Sequence, residues 1–282
     1  MNRRAFPGIS HEAFSSDADR KAREALEKLP LLPQLIRKFH EMGVDRWMYS
    51  WNMAMSIRCG RRQYPTLQGI LEECCVILDM PVPELYVANN PFPNAFAGGV
   101  ERPYITVRSS MIDTLSDEQL YHLIGHELGH IKCGHVLYHS LARVLMPLLE
   151  MLGRRTLGVT DAVSMGLVLA FLEWSRQAEL TCDRAGLLCS QQFELSATAN
   201  MALCAGPSRL AGEASLEAFL DQSRTYQEMS GLDAMGKFLV FMLFGLQSTH
   251  PMPVHRTKEL EKWFLSGAYE NIINGHYVRA ED

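Results

Sequence analysis

No stretch of this chain reaches the eighteen or so uninterrupted apolar residues of a spanning helix, no CxxC pair stands among its cysteines, and no cluster of Lys and Arg dominates its charge. Each absence excludes something. Lys and Arg number 27 against 32 acidic residues, a formal net charge of -5, so the broad basic footprint used for nucleic-acid binding is missing and no nucleic-acid partner is expected. The seven cysteines, Cys59, Cys74, Cys75, Cys133, Cys182, Cys189 and Cys204, are odd in number and irregularly spaced. That pattern argues against a disulfide framework and for a reducing compartment. Residues 1–19 mix Arg3, Arg4, Glu12, Asp17 and Asp19 with isolated apolar side chains and lack the apolar centre of a secretory signal. The expected location is cytoplasmic, at most peripheral to a membrane. Internal repeats and low-complexity segments are also missing.

What is present describes a globular chain of 282 residues, 47% hydrophobic and 21% charged, read as one domain over 1–282. Residues 1–80 form an opening helical segment. Within it Ala22, Ala25, Leu26 and Leu29, then Leu32, Leu35, Ile36 and Phe39, have helical spacing broken by Pro30 and Pro33. A further helix is expected over 65–79, with Leu67, Ile70, Leu71, Cys74, Cys75 and Leu78 on its apolar face. Residues 81–140 carry a small sheet and a long helix: 84–88 and 104–107 are rich in strand formers, and Pro91, Pro93, Gly98 and Gly99 punctuate the stretch between them. Ser116 with Gln119 makes a capping box, and Asp117 and Glu118 complement the dipole of a helix expected to run to about His139. Residues 141–174 are expected as an apolar helical hairpin, built on the runs 136–152 and 162–174 around Gly153, Arg154, Arg155 and Asp161. These runs, and 238–246, are read as buried or groove-lining helix; membrane contact through 136–174 is the less favoured reading. Residues 175–282 are expected to be mostly helical, including a helix over 258–265.

Inside the capped helix stands His126-Glu127-Leu128-Gly129-His130, an HExxH pattern. Residues four apart share a helix face about 5–6 Å apart, so two imidazoles can reach one tetrahedral zinc while the glutamate between them faces the same cavity. Three protein ligands leave a position for water, whose pKa the metal lowers towards about 7; Glu127 would take its proton and pass it to the leaving amine. One zinc per chain is expected. The third ligand is assigned to Glu179 within Trp174-Ser175-Arg176-Gln177-Ala178-Glu179-Leu180-Thr181-Cys182-Asp183. Asp183, one turn on, would accept a ring N–H from a ligand histidine, although such an ExxxD pair is more often a solvated face. His122, His135 and His139 are read as surface or hydrogen-bonded histidines of the long helix. Cys133 and Cys182 are read as buried and inert, and the Arg61–Arg62 and Arg154–Arg155 pairs as surface charge.

The residues quoted resemble the HtpX and CAAX-prenyl-protease family of gluzincin zinc metallopeptidases. His126 to His135, HELGHIKCGH, looks like the family's zinc helix, and RQAELTCD at Arg176 to Asp183 is similar to its third-ligand segment. The resemblance adds Asn94, Ala95, Phe96 and Ala97 as an edge strand lining the substrate cleft. It also adds Thr249-His250-Pro251 with Arg256, in which His250 would stabilise the oxyanion and Arg256 would brace the site. Together these features cover roughly residues 84–260. They imply an α+β, mainly helical, zincin-like fold with a small sheet and a long zinc helix. Leu180 and Cys182 depart from the family's usual residues. The interrupted hairpin resembles that of a soluble or membrane-peripheral relative, so prenylated substrates do not follow.

The leading expectation is therefore a zinc endopeptidase acting on extended or unfolded polypeptide, with a peptide or protein as its partner. Two alternatives compete with it. One is a catalytically silent, zinc-containing peptide-binding or chaperone-like protein, and the other is a membrane-associated quality-control protease anchored by the hairpin.

Overall fold

The computed structural model describes residues 3–28, 32–141, 159–206, 210–231, 233, 235–236 and 252–280. The expectations for Arg154–Arg155, the run 238–246 and His250 lie outside them, as does most of the first strand of the expected hairpin. Of 136–152 only residues up to 141 are described.

Three short helices open the fold: α1 (Asp17–Glu27), α2 (Leu32–Glu41) and α3 (Val44–Met55). Ser16 caps α1 by accepting from the Asp19 backbone N–H. Pro33, expected to break this region, sits instead in the first turn of α2, where its missing N–H would have had no intrahelical partner. A strand too short to read from sequence, β1 (Ile57–Arg58), follows, and then α4 (Pro65–Ile77), which starts on its proline and buries the expected apolar face.

The sheet also contains β2 (Glu84–Ala88), β3 (Ala95–Gly98) and β4 (Tyr104–Arg108), in the order β1-β2-β4-β3. Strands β2 and β4 are parallel, with Leu85 opposite Ile105 and Val87 opposite Val107. Their central residues are buried on both faces, which explains why the two runs read as continuous apolar and aromatic stretches rather than alternating ones. Strand β3 pairs antiparallel to β4, Ala95 opposite Val107 and Ala97 opposite Ile105, and forms one edge of the sheet.

After α5 (Ser109–Thr114) comes α6 (Asp117–Lys132), opened by the expected Ser116–Gln119 capping box. The helix stops seven residues short of His139, with Cys133 as its C-cap. Gly134 adopts φ 72°, a conformation that glycine reaches without penalty. A new helical stretch begins at residue 135, past that break. One 32-residue helix, α7 (Val159–Ser190), carries both the second apolar run and the ExxxD residues. Helices α8 (Phe193–Ala205), α9 (Leu216–Glu228), α10 (Pro253–Leu265) and α11 (Ala268–Ile273) follow among the described residues; α10 starts five residues earlier than expected, with Pro253 at its first position. Among the described residues no helix is long and apolar enough to cross a membrane.

The main buried cluster joins Phe6, Ile9 and Phe14 to α4, the sheet, α6, the end of α7 and α8. A second cluster gathers Leu26, Leu32, Phe39 and Val44 around Trp174, with Tyr138 and Phe171. Helices α6 and α7 pack unusually close. A Cβ added at Gly125 would lie 2.6 Å from Cys189 Cβ, and one at Gly129 would lie 2.9 Å from Ala185 Cβ and 3.1 Å from the Cys182 backbone. That approach brings Glu179 within reach of α6.

Candidate metal centre

Along α6, His126 and His130 lie one turn apart with ring centroids 5.0 Å from each other. Glu179 reaches across from α7: its Oε2 is 3.4 Å from His126 Nε2 and its Oε1 is 3.3 Å from His130 Nε2. All three side chains are buried, and so is Glu127. Donors around a tetrahedral zinc with bonds of about 2.0–2.1 Å are separated by about 3.3–3.4 Å. The two nitrogen–oxygen separations, each to a different Glu179 oxygen, match that edge, and the donor types match the ligand preference of zinc.

The other nitrogen of His126 is tied down as well. Its Nδ1 lies 2.9 Å from Asp183 Oδ1, the arrangement in which Nδ1–H donates and leaves the Nε2 lone pair facing Glu179. Arg256 on α10 holds Asp183 from behind: Nε donates to Oδ2 at 2.8 Å, Nη2 bonds Oδ1, and Nη1 lies 3.1 Å from Glu179 Oε2. Burial pushes the Asp183 carboxyl up, but the Arg256 charge and the hydrogen bonds from Arg256 and His126, with His122 Nε2 nearby at 3.7 Å, outweigh it and hold the group well below the usual carboxylate range. Burial opposes the Arg256 charge in turn, and Asp183 and Glu179 reverse that, so the guanidinium stays protonated. His130 is pushed down to about 4, chiefly by burial, which keeps its imidazole neutral, the form that ligates metal.

The structure thus brings together His126, Glu127, His130, Glu179, Asp183 and Arg256. His250 falls outside the described residues. Asn94 precedes β3, and Ala95, Phe96 and Ala97 lie on that edge strand beside α6, with the Phe96 ring packed edge-on to Tyr104 at 6.5 Å.

Three neighbours were not expected to converge. His139 offers a ligand atom within 4.8 Å of those of His130 and Glu179, and Cys182 does the same for His126 and His130. The break at Gly134 turns His135 and His139 back towards the site, so neither is a surface histidine of one long helix. His135 is buried, and His139 packs edge-on to His130 at 4.9 Å. The signal was in the sequence: a Cys-Gly pair after the second HExxH histidine is a helix stop. Cys133 and Cys182 are buried as expected, and burial raises both thiols above their ordinary value. Cys204 is exposed, and Arg61 and Arg62 lie at the surface.

Residues 61–264 match the profile of peptidase family M48. The chain belongs to peptidase family M48. This M48 peptidase is similar to the plastoglobule-localized metallopeptidase 48 of Arabidopsis thaliana, a chloroplastic protein, with 30% identity over 276 residues covering 95% of this chain and 77% of that protein. It is also similar to protease HtpX homolog 2 of Methanosarcina mazei, 24% identical across 76% of this chain and 78% of the relative. The protease HtpX homolog of Dictyoglomus thermophilum is 28% identical across 73% of each. No solved structure matches the chain. The M48 membership makes it a zinc metallopeptidase acting on peptide or protein substrates, on the mainly helical α+β scaffold expected of a zincin.

Proposed function

We propose that this M48 peptidase is an endopeptidase that cuts extended polypeptide, with one zinc per chain held by His126, His130 and Glu179. The observation that carries the reading is the approach of both Glu179 oxygens to the two Nε2 atoms at 3.3–3.4 Å, among buried side chains. When bound, zinc polarises the scissile carbonyl and lowers the pKa of a water towards about 7. Glu127, on the same turn as both histidines, accepts that water's proton and returns it to the leaving amine. Asp183 and Arg256 hold His126 in the ligating tautomer, and His250 is the proposed donor to the developing oxyanion. The β3 edge at Asn94, Ala95, Phe96 and Ala97 offers main-chain groups to an extended substrate, with pockets beneath alternate residues giving preference.

Glu127→Gln should retain zinc while losing about 10²- to 10⁴-fold in hydrolysis. Profiling of new peptide termini in a proteome digest, together with metal analysis, checks both. Equal cleavage by wild type and variant would refute the general-base role, and zinc retention without any cleavage by wild type would favour the silent peptide-binding alternative.

For location, we propose a peripheral contact with a lipid surface through α3. Trp47, Trp51 and Met55 follow at single-turn spacing and are 65%, 60% and 62% exposed, and indole rings favour the boundary between apolar chains and water. The plastoglobule localisation of the Arabidopsis relative supports this reading. The protein should float with lipid vesicles in a density gradient, and Trp47→Ser with Trp51→Ser should leave it in the dense fraction. A wild-type protein that stays there itself would exclude the contact.

A further inference from the structure

Both imidazoles of α6 direct Nε2 towards Glu179, so each needs a partner that keeps a proton on Nδ1. For His126 that partner is Asp183. For His130 it is His135, whose Nδ1 lies 3.3 Å from His130 Nδ1. His135 Nε2 in turn lies 3.2 Å from Asp19 Oδ2 on α1.

The hydrogen-bond directions close without conflict. His130 Nδ1–H donates to the His135 Nδ1 lone pair, and His135 Nε2–H donates to Asp19. Thr181 Oγ1 donates to the same Asp19 oxygen at 2.6 Å, and Ser16 N–H donates to Thr181 Oγ1 at 3.0 Å. Asp19 N–H donates to Ser16 Oγ at 3.0 Å, so the N-cap of α1 fixes the carboxylate's backbone. Cys182 Sγ, 3.5 Å from His135 Nδ1, shares that lone pair as a weak S–H donor. Asp19, His135, Thr181, Cys182 and Ser16 are all buried. A buried carboxylate and imidazole are costly unless their hydrogen bonds are satisfied, and here those bonds end on a metal-site histidine.

We infer that Asp19 and His135 are positioning residues for zinc, acting through His130, so that metal affinity is set partly from helix α1 near the start of the chain. The inference rests on the reading of His130 as a zinc ligand. It assigns the two α6 histidines separate supports: His126 is oriented from α7 and α10 by Asp183 and Arg256, and His130 from α1 by the Asp19–His135 pair. The second support differs in chemistry, because an imidazole rather than a carboxylate touches the ligand, with the carboxylate one step removed.

Zinc affinity of the full chain, measured by competition with a chromophoric chelator, tests this without reference to catalysis. Asp19→Ala and His135→Leu should bind zinc about 10- to 100-fold more weakly than wild type. Asp19→Asn should lose less, because its amide oxygen still accepts from His135. Leu26→Ala is the control for docking of α1: Leu26 is fully buried on the same helix in the apolar cluster around Trp174 and takes no part in the hydrogen-bond chain, so it should lower the melting temperature and leave zinc affinity unchanged. If Asp19→Ala does not fold, Asp19→Asn and His135→Leu carry the comparison. Affinities within about threefold of wild type for both of these, or an equal loss in Leu26→Ala, would overturn the positioning role. A His130→Ala variant that binds zinc as tightly as wild type would instead remove the ligand reading beneath it.

Discussion

At the scale of single residues, Arg256 faces an unusual electrostatic task. Its guanidinium is buried between two carboxylates, Asp183 and Glu179, that are buried themselves. Removing one partner of such a group leaves charge stranded in a low-dielectric interior, at a cost of about 3–5 kcal/mol, whereas replacing both partners by apolar side chains is often close to neutral. Arg256→Leu should therefore be strongly destabilised in urea or guanidinium unfolding. Asp183→Leu with Arg256→Leu should recover only part of that loss, because Glu179 remains buried without the guanidinium, and should still bind zinc poorly, because His126 Nδ1 loses its acceptor. If the double variant regained zinc affinity along with stability, Asp183 would have no orienting role. The sequence alone gave Arg256 no distinction among the basic residues of the chain, since its meaning depends on α10 crossing the end of α7. The HP…R resemblance singled it out.

At the scale of elements, the packing of α6 on α7 decides whether the site exists. Gly125, Gly129 and Gly186 occupy the contact, and a Cβ at Gly186 would come within 2.5 Å of His122 Nδ1. Gly125→Ala should force the helices apart, since Cys189 Cβ and the Ala185 carbonyl block the new methyl group. The expected cost is about 1–3 kcal/mol in chemical denaturation, with a fall in zinc affinity as Glu179 is carried away from α6. Unchanged zinc binding would mean that the two helices adjust by sliding rather than separating. Local signals made α6 readable, because the capping box and the i,i+4 histidines depend only on neighbours along the chain. They also marked 84–88 and 104–107 as strands, β2 and β4. Strand β1, two residues long, carries no local signal and exists only because β2 offers it an edge. The hydrogen bonding of His135 to His130 was hidden for a different reason: it depends on the turn at Gly134, and the long-helix reading passed over that residue.

At the scale of the whole molecule, the proposed centre draws on α1, α6, α7 and α10, so metal and fold should be linked. Zinc at about a thousand times its dissociation constant stabilises a protein by about 4 kcal/mol, provided the unfolded chain does not compete. For a chain of this size that corresponds to roughly 10 °C in melting temperature. Excess chelator should lower the calorimetric midpoint by about that amount, and added zinc should restore it. No response to either treatment would place the metal outside the folded core. The apolar face of α4 and the capped start of α6 were foreseeable from local patterns. The convergence of residues as distant as Asp19, His126, Glu179 and Arg256 is a tertiary property, of which the need for a third zinc ligand and the family resemblance gave a partial outline.

Arg256 also has a temporal meaning. Because its guanidinium neutralises the two carboxylates behind His126, a chain whose α10 has not yet docked holds them without their counter-charge. The metal centre is therefore completed only after α10 has packed onto α7.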